Sequence, residues 1–422
     1  MKVLVVGGGG REHAIIRKLK ENQSIDKLYC APGNGGISFD AECVDIKATD
    51  VDNMVAFAKK SGIDFAVVAP DDPLVLGMAD AMEAAGIPTF GPSKLAARIE
   101  GSKVFSKNLM KKYGIPTAKY EVFSNAEEAI LYIESENTFP TVIKADGLAL
   151  GKGVIIAQDL KEAKDAIHSI MEDKIFGASG NEIVVEEFLT GPEVSVLAFT
   201  DSKIVVPMIS SMDHKRALDG DKGLNTGGMG TIAPNPCYTA AHAKEAMEQI
   251  FLPTIRAMVS EGCPFKGCLY FGLMITPNGI KVIEYNCRFG DPETQVVLPL
   301  LKTDLFTVFK AVRNECLSDL KIEWSNESAA CVVMASGGYP QKYETGFAIE
   351  GLDENGQSPL ATVYHAGTKI ADHKIVTSGG RVLGVTSTAP TLKEALNRSY
   401  EAVKTIHFEK AFYRKDIGKK AL

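Results

Sequence analysis

Glu284, Asn286 and Arg288 alternate along the run Val282-Ile283-Glu284-Tyr285-Asn286-Cys287-Arg288. In an extended strand successive side chains point to opposite faces, so these three share one face while Ile283, Tyr285 and Cys287 share the other. A carboxylate and an amide oxygen are hard ligands of the kind Mg²⁺ takes, leaving water and phosphates to complete its shell. A guanidinium two residues further on can clamp a phosphoryl or carboxylate group. The ordinary use of Glu and Arg on a strand is a solvated outer face. Two features favour a site instead: Asn is disfavoured in strands, and the run continues into Gly290-Asp291-Pro292-Glu293, a turn that adds further carboxylates.

A β-hairpin would position that face. The apolar run from Cys268 to Ile275 and the turn Thr276-Pro277-Asn278-Gly279 precede it, and Pro and Gly between two strand-forming runs are the signature of such a turn. Upstream, Lys144 interrupts the apolar strand Thr141-Val142-Ile143-Lys144-Ala145. A charge there is costly unless partnered, so an anionic neighbour is expected. The glycine-rich loop from Gly147 through Gly151 to Gly153 could close its backbone N–H groups over phosphates. It is not a Walker loop, because Lys152 is followed by Gly153 and not by Ser or Thr. The polar, glycine-dense segment 213–230 reads as disorder or a functional lid. Lys103 opens a helical pattern that runs to Tyr113, and on residue type alone it is one surface lysine among Lys107, Lys111 and Lys112.

Residues 1 to about 100 alternate short apolar runs (3–6, 27–30, 43–46, 65–69, 88–90) with helical stretches (11–22, 51–61, 74–85), the pattern of a parallel sheet covered by helices on both faces. The first strand runs into Gly7-Gly8-Gly9-Gly10-Arg11-Glu12-His13, a glycine-rich turn opening a helix and hence an anion site. A dinucleotide fingerprint fails here. Read from Gly7 the third glycine position holds Glu12, read from Gly8 it holds His13, and no acidic residue closes the second strand at Ala31-Pro32-Gly33-Asn34.

The string Arg288-Phe289-Gly290-Asp291-Pro292-Glu293-Thr294-Gln295 resembles the signature of the glycinamide ribonucleotide synthetases, ATP-grasp ligases of purine biosynthesis that join glycine to 5-phospho-β-D-ribosylamine through a glycyl phosphate. The resemblance implies a multidomain α/β and α+β protein: a Rossmann-like parallel sheet over 1–101, an ATP-grasp core over 102–120 and 188–325, a lid subdomain over 121–187 and a small α+β domain over 326–422. It places Lys103, Lys144, Gly147, Gly151 and Gly153 on the ATP phosphates, Glu186, Glu187, Phe188 and Leu189 around adenine, and Glu193 on the ribose. It assigns Mg²⁺ (or Mn²⁺) to Glu284 and Asn286, and catalytic roles to Arg288, Asp213 and Lys144, with Asp213 facing the substrate ammonium group. The amino sugar phosphate and glycine fall to Gly8, Gly9, Gly10, Arg11, Glu12, Pro70, Asp71, Asp213, Asn225, Gly227, Gly228, Arg288, Asp291 and Pro292. Asp71 stands where the family carries Glu, one methylene longer. The strand 268–273 has no acidic metal ligand, which separates it from peptide-type and biotin-dependent relatives. Small-molecule substrates, a transient contact with the amidophosphoribosyltransferase that makes phosphoribosylamine, and a monomer are the implied partners and state. Two alternatives stay open: another ATP-grasp carboxylate-amine ligase, and a nucleotide-regulated binding protein without turnover.

Bulk properties fit this reading. The 422 residues exceed one ordinary core, and a net charge of −7 argues against a nucleic-acid-binding surface. The eight cysteines show neither Cys-x-x-Cys nor a matching His pair, so a reduced cytoplasm is expected. No apolar run approaches the ~20 residues of a membrane span.

Overall fold

The computed structural model describes residues 1–148 and 153–422, so Gly151 lies outside the described residues. Five parallel strands form the N-terminal sheet in the order Glu42–Cys43, Lys27–Pro32, Lys2–Gly7, Phe65–Val68, Thr89–Phe90. Val3 and Val5 pack into one apolar cluster and Leu4 and Val6 into another, so both faces are covered and the strands read as unbroken apolar runs. The strand order reverses at Lys2–Gly7, and the crevice for ligands lies beyond the carboxyl ends at that point. Two expectations shift in detail. The third strand is only Glu42–Cys43, because Val44 and Ile46 leave the sheet to pack against the core. The helix expected over 74–85 is two, Asp71–Leu76 and Met78–Ala84, divided at Gly77 with φ +97°.

The central sheet is antiparallel, in the order Val205–Pro207, Glu193–Asp201, Lys266–Thr276, Gly279–Asn286, the last two forming the expected hairpin. Its alternation is not regular. A bulge opposite Gly272 and Leu273 inserts Ile283, so Val282, Tyr285 and Cys287 join the apolar core while Ile283 turns to the same side as Glu284. That corrects the expectation that Ile283 sits with Tyr285.

A separate antiparallel sheet, Tyr120–Phe123, Ile183–Glu187, Thr141–Ala145, Val154–Ala157, is covered on one face by the helices Ala126–Glu136 and Leu160–Ile167. Ile143 and Ala145 point into that small core, which leaves Val142 and Lys144 on the opposite face. Asp146, just past this strand, accepts from the Val104 N–H at 3.0 Å and the Ser102 hydroxyl at 3.1 Å. The carboxylate thus joins the start of the helix Lys103–Tyr113 to the lid sheet.

The C-terminal sheet contains Met212–Asp213, Gly230–Ala233, Ser328–Ser336, Arg381–Ala389 and Thr362–His365, backed by the helix Leu392–Thr405. Its first two strands come from a stretch that the sequence reading gave to the ATP-grasp core. Segment 213–230, expected as disorder or a lid, is therefore strand, hairpin (Arg216–Leu218 with Lys222–Asn225) and strand. Arg414, 1 % exposed, clasps that hairpin: its guanidinium lies 2.9 Å from Asp221 and 2.7 Å from Asp416, and donates to the Arg216 carbonyl at 3.1 Å. The Gly418 N–H donates to His214 Nε2 at 3.0 Å.

Three buried histidines make these junctions pH-dependent. His365 N–H donates to His13 Nδ1 at 2.8 Å across the N- and C-terminal units, and His13 Nε2 faces Asp40 at 3.1 Å. Burial lowers all three imidazoles, to about 4 for His214 and about 3 for His365. Between those values and the ordinary 6.5 the unfolded chain holds more protons than the folded one, so stability rises with pH and is lost as pH falls from 6.5 toward 4. Each histidine contributes a slope of about 1.4 kcal/mol per pH unit inside its window. Urea unfolding at stepped pH should show the slope, and His214→Asn and His365→Asn should flatten it. A midpoint that ignores pH over this range would mean that the imidazoles titrate as freely folded as unfolded.

Candidate active site

The cleft between the central sheet, the lid sheet and the helix Lys103–Tyr113 collects Lys103, Lys144, Gly147, Gly153, Glu186, Glu284, Asn286, Arg288 and Asp71 on its lining. Lys103 Nζ donates to the Gly147 carbonyl at 2.6 Å. Lys144, 6 % exposed, has the expected anionic neighbour, Glu186 Oε1 at 3.0 Å. That contact is an ion pair without hydrogen-bond alignment, and Glu186 Oε1 is left without a donor. Lys144 also donates to the Ile283 carbonyl at 3.2 Å, which ties the lid strand to the hairpin bulge. Burial alone would raise the Glu284 carboxyl, but Lys215, Lys144, Lys103 and Arg288 together hold it below its ordinary value. It is a carboxylate at neutral pH.

Arg288 lies just past the strand end. Its guanidinium pairs with Glu100 at 3.0 Å, approaches Asp71 at 3.9 Å and donates to Asn286 Oδ1 at 3.2 Å. Its Nε is buried with no partner. Asp71 is pushed up by burial but held below the usual carboxylate range by Arg288 and then Arg11.

The remaining expected residues form a second group beside the first. Asp213 is raised well above the carboxylate range by burial and by the nearby Glu293 charge. Gly228, at φ +112°, lies between Asp213 and Pro292: an added Cβ would meet Pro292 Cδ at 2.5 Å and Asp213 Oδ1 at 2.6 Å. The Arg11 N–H donates to Asp291 Oδ2 at 3.3 Å, and the Arg11 guanidinium donates to the Phe289 carbonyl at 3.1 Å. Gly8 abuts the second glycine-rich loop at Gly33, and Gly10 packs on Gln295. Glu12 turns back into its own helix start, accepting from the Gly9 N–H at 2.5 Å and from Arg11 Nε at 2.6 Å. Pro70 is half-buried at the carboxyl end of the fourth strand. Asn225 lies apart, exposed on the hairpin strand and paired with Arg216. Gly227 is exposed at the hairpin's end.

On the linker after Ile183–Glu187, Phe188 is 39 % exposed and Leu189 half-buried. Glu187 pairs with Lys281 at 2.7 Å, and Glu193 with Lys215 at 3.0 Å. Three residues that the sequence reading passed over stand in this site. Lys107, taken for a surface lysine, is 2 % exposed, 2.9 Å from Glu186 Oε2 and 2.8 Å from Thr117 Oγ1, and burial lowers it to about 8. Its spacing of four from Lys103 puts both on one helix face, which was the available signal. Glu100 and Arg381 carry no comparable sign in their neighbours.

Family models for phosphoribosylglycinamide synthetase match three stretches: the N domain at 1–100, the ATP-grasp (A) domain at 101–294 and the C domain at 329–420. The chain belongs to the phosphoribosylglycinamide synthetase family. Among its relatives is the phosphoribosylamine-glycine ligase of Caldanaerobacter subterraneus subsp. tengcongensis, 49 % identical over 418 residues and covering 99 % of both chains. The crystal structure of the Thermotoga maritima phosphoribosylamine-glycine ligase superposes with a TM-score of 0.84 at 34 % identity, covering 99 % of this chain and 100 % of that one. The biotin carboxylase domain of the Hydrogenobacter thermophilus 2-oxoglutarate carboxylase, solved with MgADP and bicarbonate, shares the fold at 17 % identity and a TM-score of 0.73, over 98 % of this chain and 91 % of that one. The family name and the geometry agree on a multidomain α/β chain with an ATP-grasp centre.

Proposed function

We propose that this chain joins glycine to 5-phospho-β-D-ribosylamine, giving glycinamide ribonucleotide while ATP becomes ADP and phosphate, a step of purine biosynthesis. The observation that carries the reading is the meeting of Glu284, Asn286, Arg288, Lys103 and Lys144 on one cleft. It occurs in a chain 49 % identical over nearly its whole length to a phosphoribosylamine-glycine ligase.

An amine does not attack a carboxylate, which is negatively charged and lacks a leaving group. Transfer of the ATP γ-phosphoryl group to a glycine carboxylate oxygen removes both obstacles: an O–P bond forms, the bridging P–O bond breaks and ADP departs. The ribosylamine nitrogen then attacks the acyl carbon, loses a proton, and phosphate leaves. Lys103, Lys144 and Arg288 neutralise charge spread over the transferring group. Lys103 exchanges its Gly147 carbonyl for a phosphate oxygen, and the unpartnered Arg288 Nε gains an acceptor.

Glu284 and Asn286 fit Mg²⁺ in donor type, and Mn²⁺ accepts the same oxygens. Among the described residues no cluster of three or more His, Cys, Asp or Glu forms an all-protein cage, so substrate phosphates would complete the shell. Bound there, the cation supplies charge neutralisation on the phosphates. On the acceptor side, burial and the Glu293 charge disfavour the Asp213 carboxylate, and a glycine ammonium group beside these two residues would supply the opposite charge that favours it.

The four-unit division, a monomeric state and receipt of phosphoribosylamine from the amidophosphoribosyltransferase belong to the same proposal. A reducing cytoplasm suits eight free cysteines, and among the described residues no helix is long and apolar enough to cross a membrane. The deciding experiment is ADP release with glycine and freshly generated phosphoribosylamine, each omitted in turn. ADP should appear only with both acceptors present. Release that follows a different amine or carboxylate would reassign the substrates, and none with any acceptor would leave a nucleotide-binding protein.

A further inference from the structure

The C-terminal unit reaches the acceptor side of the site through Tyr339, whose hydroxyl accepts the Gly227 N–H at 3.0 Å, and through Arg381. Arg381 opens the strand Arg381–Ala389, and its guanidinium is inserted between the turn at Gly227 and Gly228 and the turn at Asp291 and Pro292. One terminal nitrogen donates to the carbonyls of Gly227, Asp291 (2.6 Å) and Gly228 (3.4 Å), while the other lies 3.4 Å from Asp291 Oδ1. The two turns it joins are the walls that enclose Gly228 between Asp213 and Pro292. A guanidinium holds the carbonyls with one terminal nitrogen and the Asp291 carboxylate with the other, whereas an ammonium group offers its three donors from a single point.

We propose that Arg381 is a positioning residue of the acceptor pocket: it locks the Gly227–Gly228 turn onto the Asp291 turn and so fixes Asp213 for the amino acid. This rests on the glycine-ligase reading above. Arg381 does not touch the nucleotide cleft, whose lining comes from other elements. Its loss therefore acts on the acceptor side, and on glycine through Asp213, but not on ATP. Asp291 keeps Gln295 Nε2 at 2.8 Å and the Arg11 N–H at 3.3 Å, so the turn retains partners without it.

The test is steady-state ADP release by Arg381→Met and Gly227→Ala, varying glycine, phosphoribosylamine and ATP separately. An alanine Cβ at position 227 would come within 2.9 Å of Arg381 Cζ, so this variant displaces the guanidinium without removing it. KM for glycine should rise about 10- to 100-fold in Arg381→Met and Gly227→Ala, with KM for ATP within about twofold of the wild type. Added guanidinium or methylguanidinium ion should restore part of the loss in Arg381→Met and none in Gly227→Ala. The double variant should lose no more than the worse single one. An unchanged KM for glycine in both single variants overturns the proposal, as does an equal rise for all substrates with no rescue, which marks a fold defect. Failure of the ligase reading shows separately, as wild-type protein that releases no ADP with glycine.

Discussion

Replacing Glu284 by Gln should leave the fold intact and cut turnover by about three orders of magnitude. The side chain is 38 % exposed in the cleft and faces Lys215 Nζ at 3.7 Å, with Lys144, Lys103 and Arg288 as its other positive neighbours. Glutamine has nearly the same shape, so packing is preserved. What disappears is the carboxylate that Lys215, Lys144, Lys103 and Arg288 together hold ionised, and with it the charge that would hold a divalent ion against the nucleotide phosphates. The rate loss should therefore come with a raised Mg²⁺ requirement. ADP release across Mg²⁺ concentrations reads the rate and the metal requirement, and urea unfolding reads the intact fold. A variant with near-normal rate at ordinary Mg²⁺ would put the cation elsewhere.

Arg288→Met should lose turnover on a similar scale and stability as well. Glu100 is buried, with its Oε1 3.0 Å from Arg288 and its Oε2 accepting the Cys287 N–H at 2.7 Å. Burial already pushes the Glu100 carboxyl up; without the guanidinium an uncompensated charge remains inside, a loss of about 3–5 kcal/mol. Lysine at 288 restores the charge but not the planar group that holds the Phe289 carbonyl with one terminal nitrogen and reaches Glu100 and Asn286 with the other, so it should recover stability more than rate. Urea denaturation beside ADP release separates the two. A methionine variant as stable as the wild type would show that Glu100 goes neutral at no cost, and the ion pair would lose its structural role.

The hairpin was legible because Pro277 and Gly279 mark its turn and because Glu284, Asn286 and Arg288 recur at a spacing of two. The side of Ile283 was not, since a bulge is set by pairing with Gly272 and Leu273, which sequence alternation does not reveal. Lys144 declared its partner by being a charge in an apolar strand. Lys107 did not, because lysines at 103, 107, 111 and 112 look alike until Glu186 and Thr117 close over one of them. Glu100 ends an unremarkable helix, and its contact at Arg288 exists only once the N-terminal unit meets the hairpin. Segment 213–230 was polar and glycine-rich enough to pass for a free loop. Its flanking strands are held through Gly230–Ala233 against Ser328–Ser336, far later in the chain.

The clasp at Arg414 and Gly418 bears on the order in which the molecule matures. Synthesis runs from the N-terminus, and early units fold as they emerge. The strand that carries Asp213 waits, through Gly230–Ala233, for Ser328–Ser336 about a hundred residues on; the hairpin and His214 wait for Arg414 and Gly418 some two hundred residues on; and the turns at Gly227 and Asp291 wait for Arg381. A nascent chain can therefore assemble a nucleotide cleft well before it has an acceptor pocket, and only a chain made past about residue 418 is equipped to use what it binds.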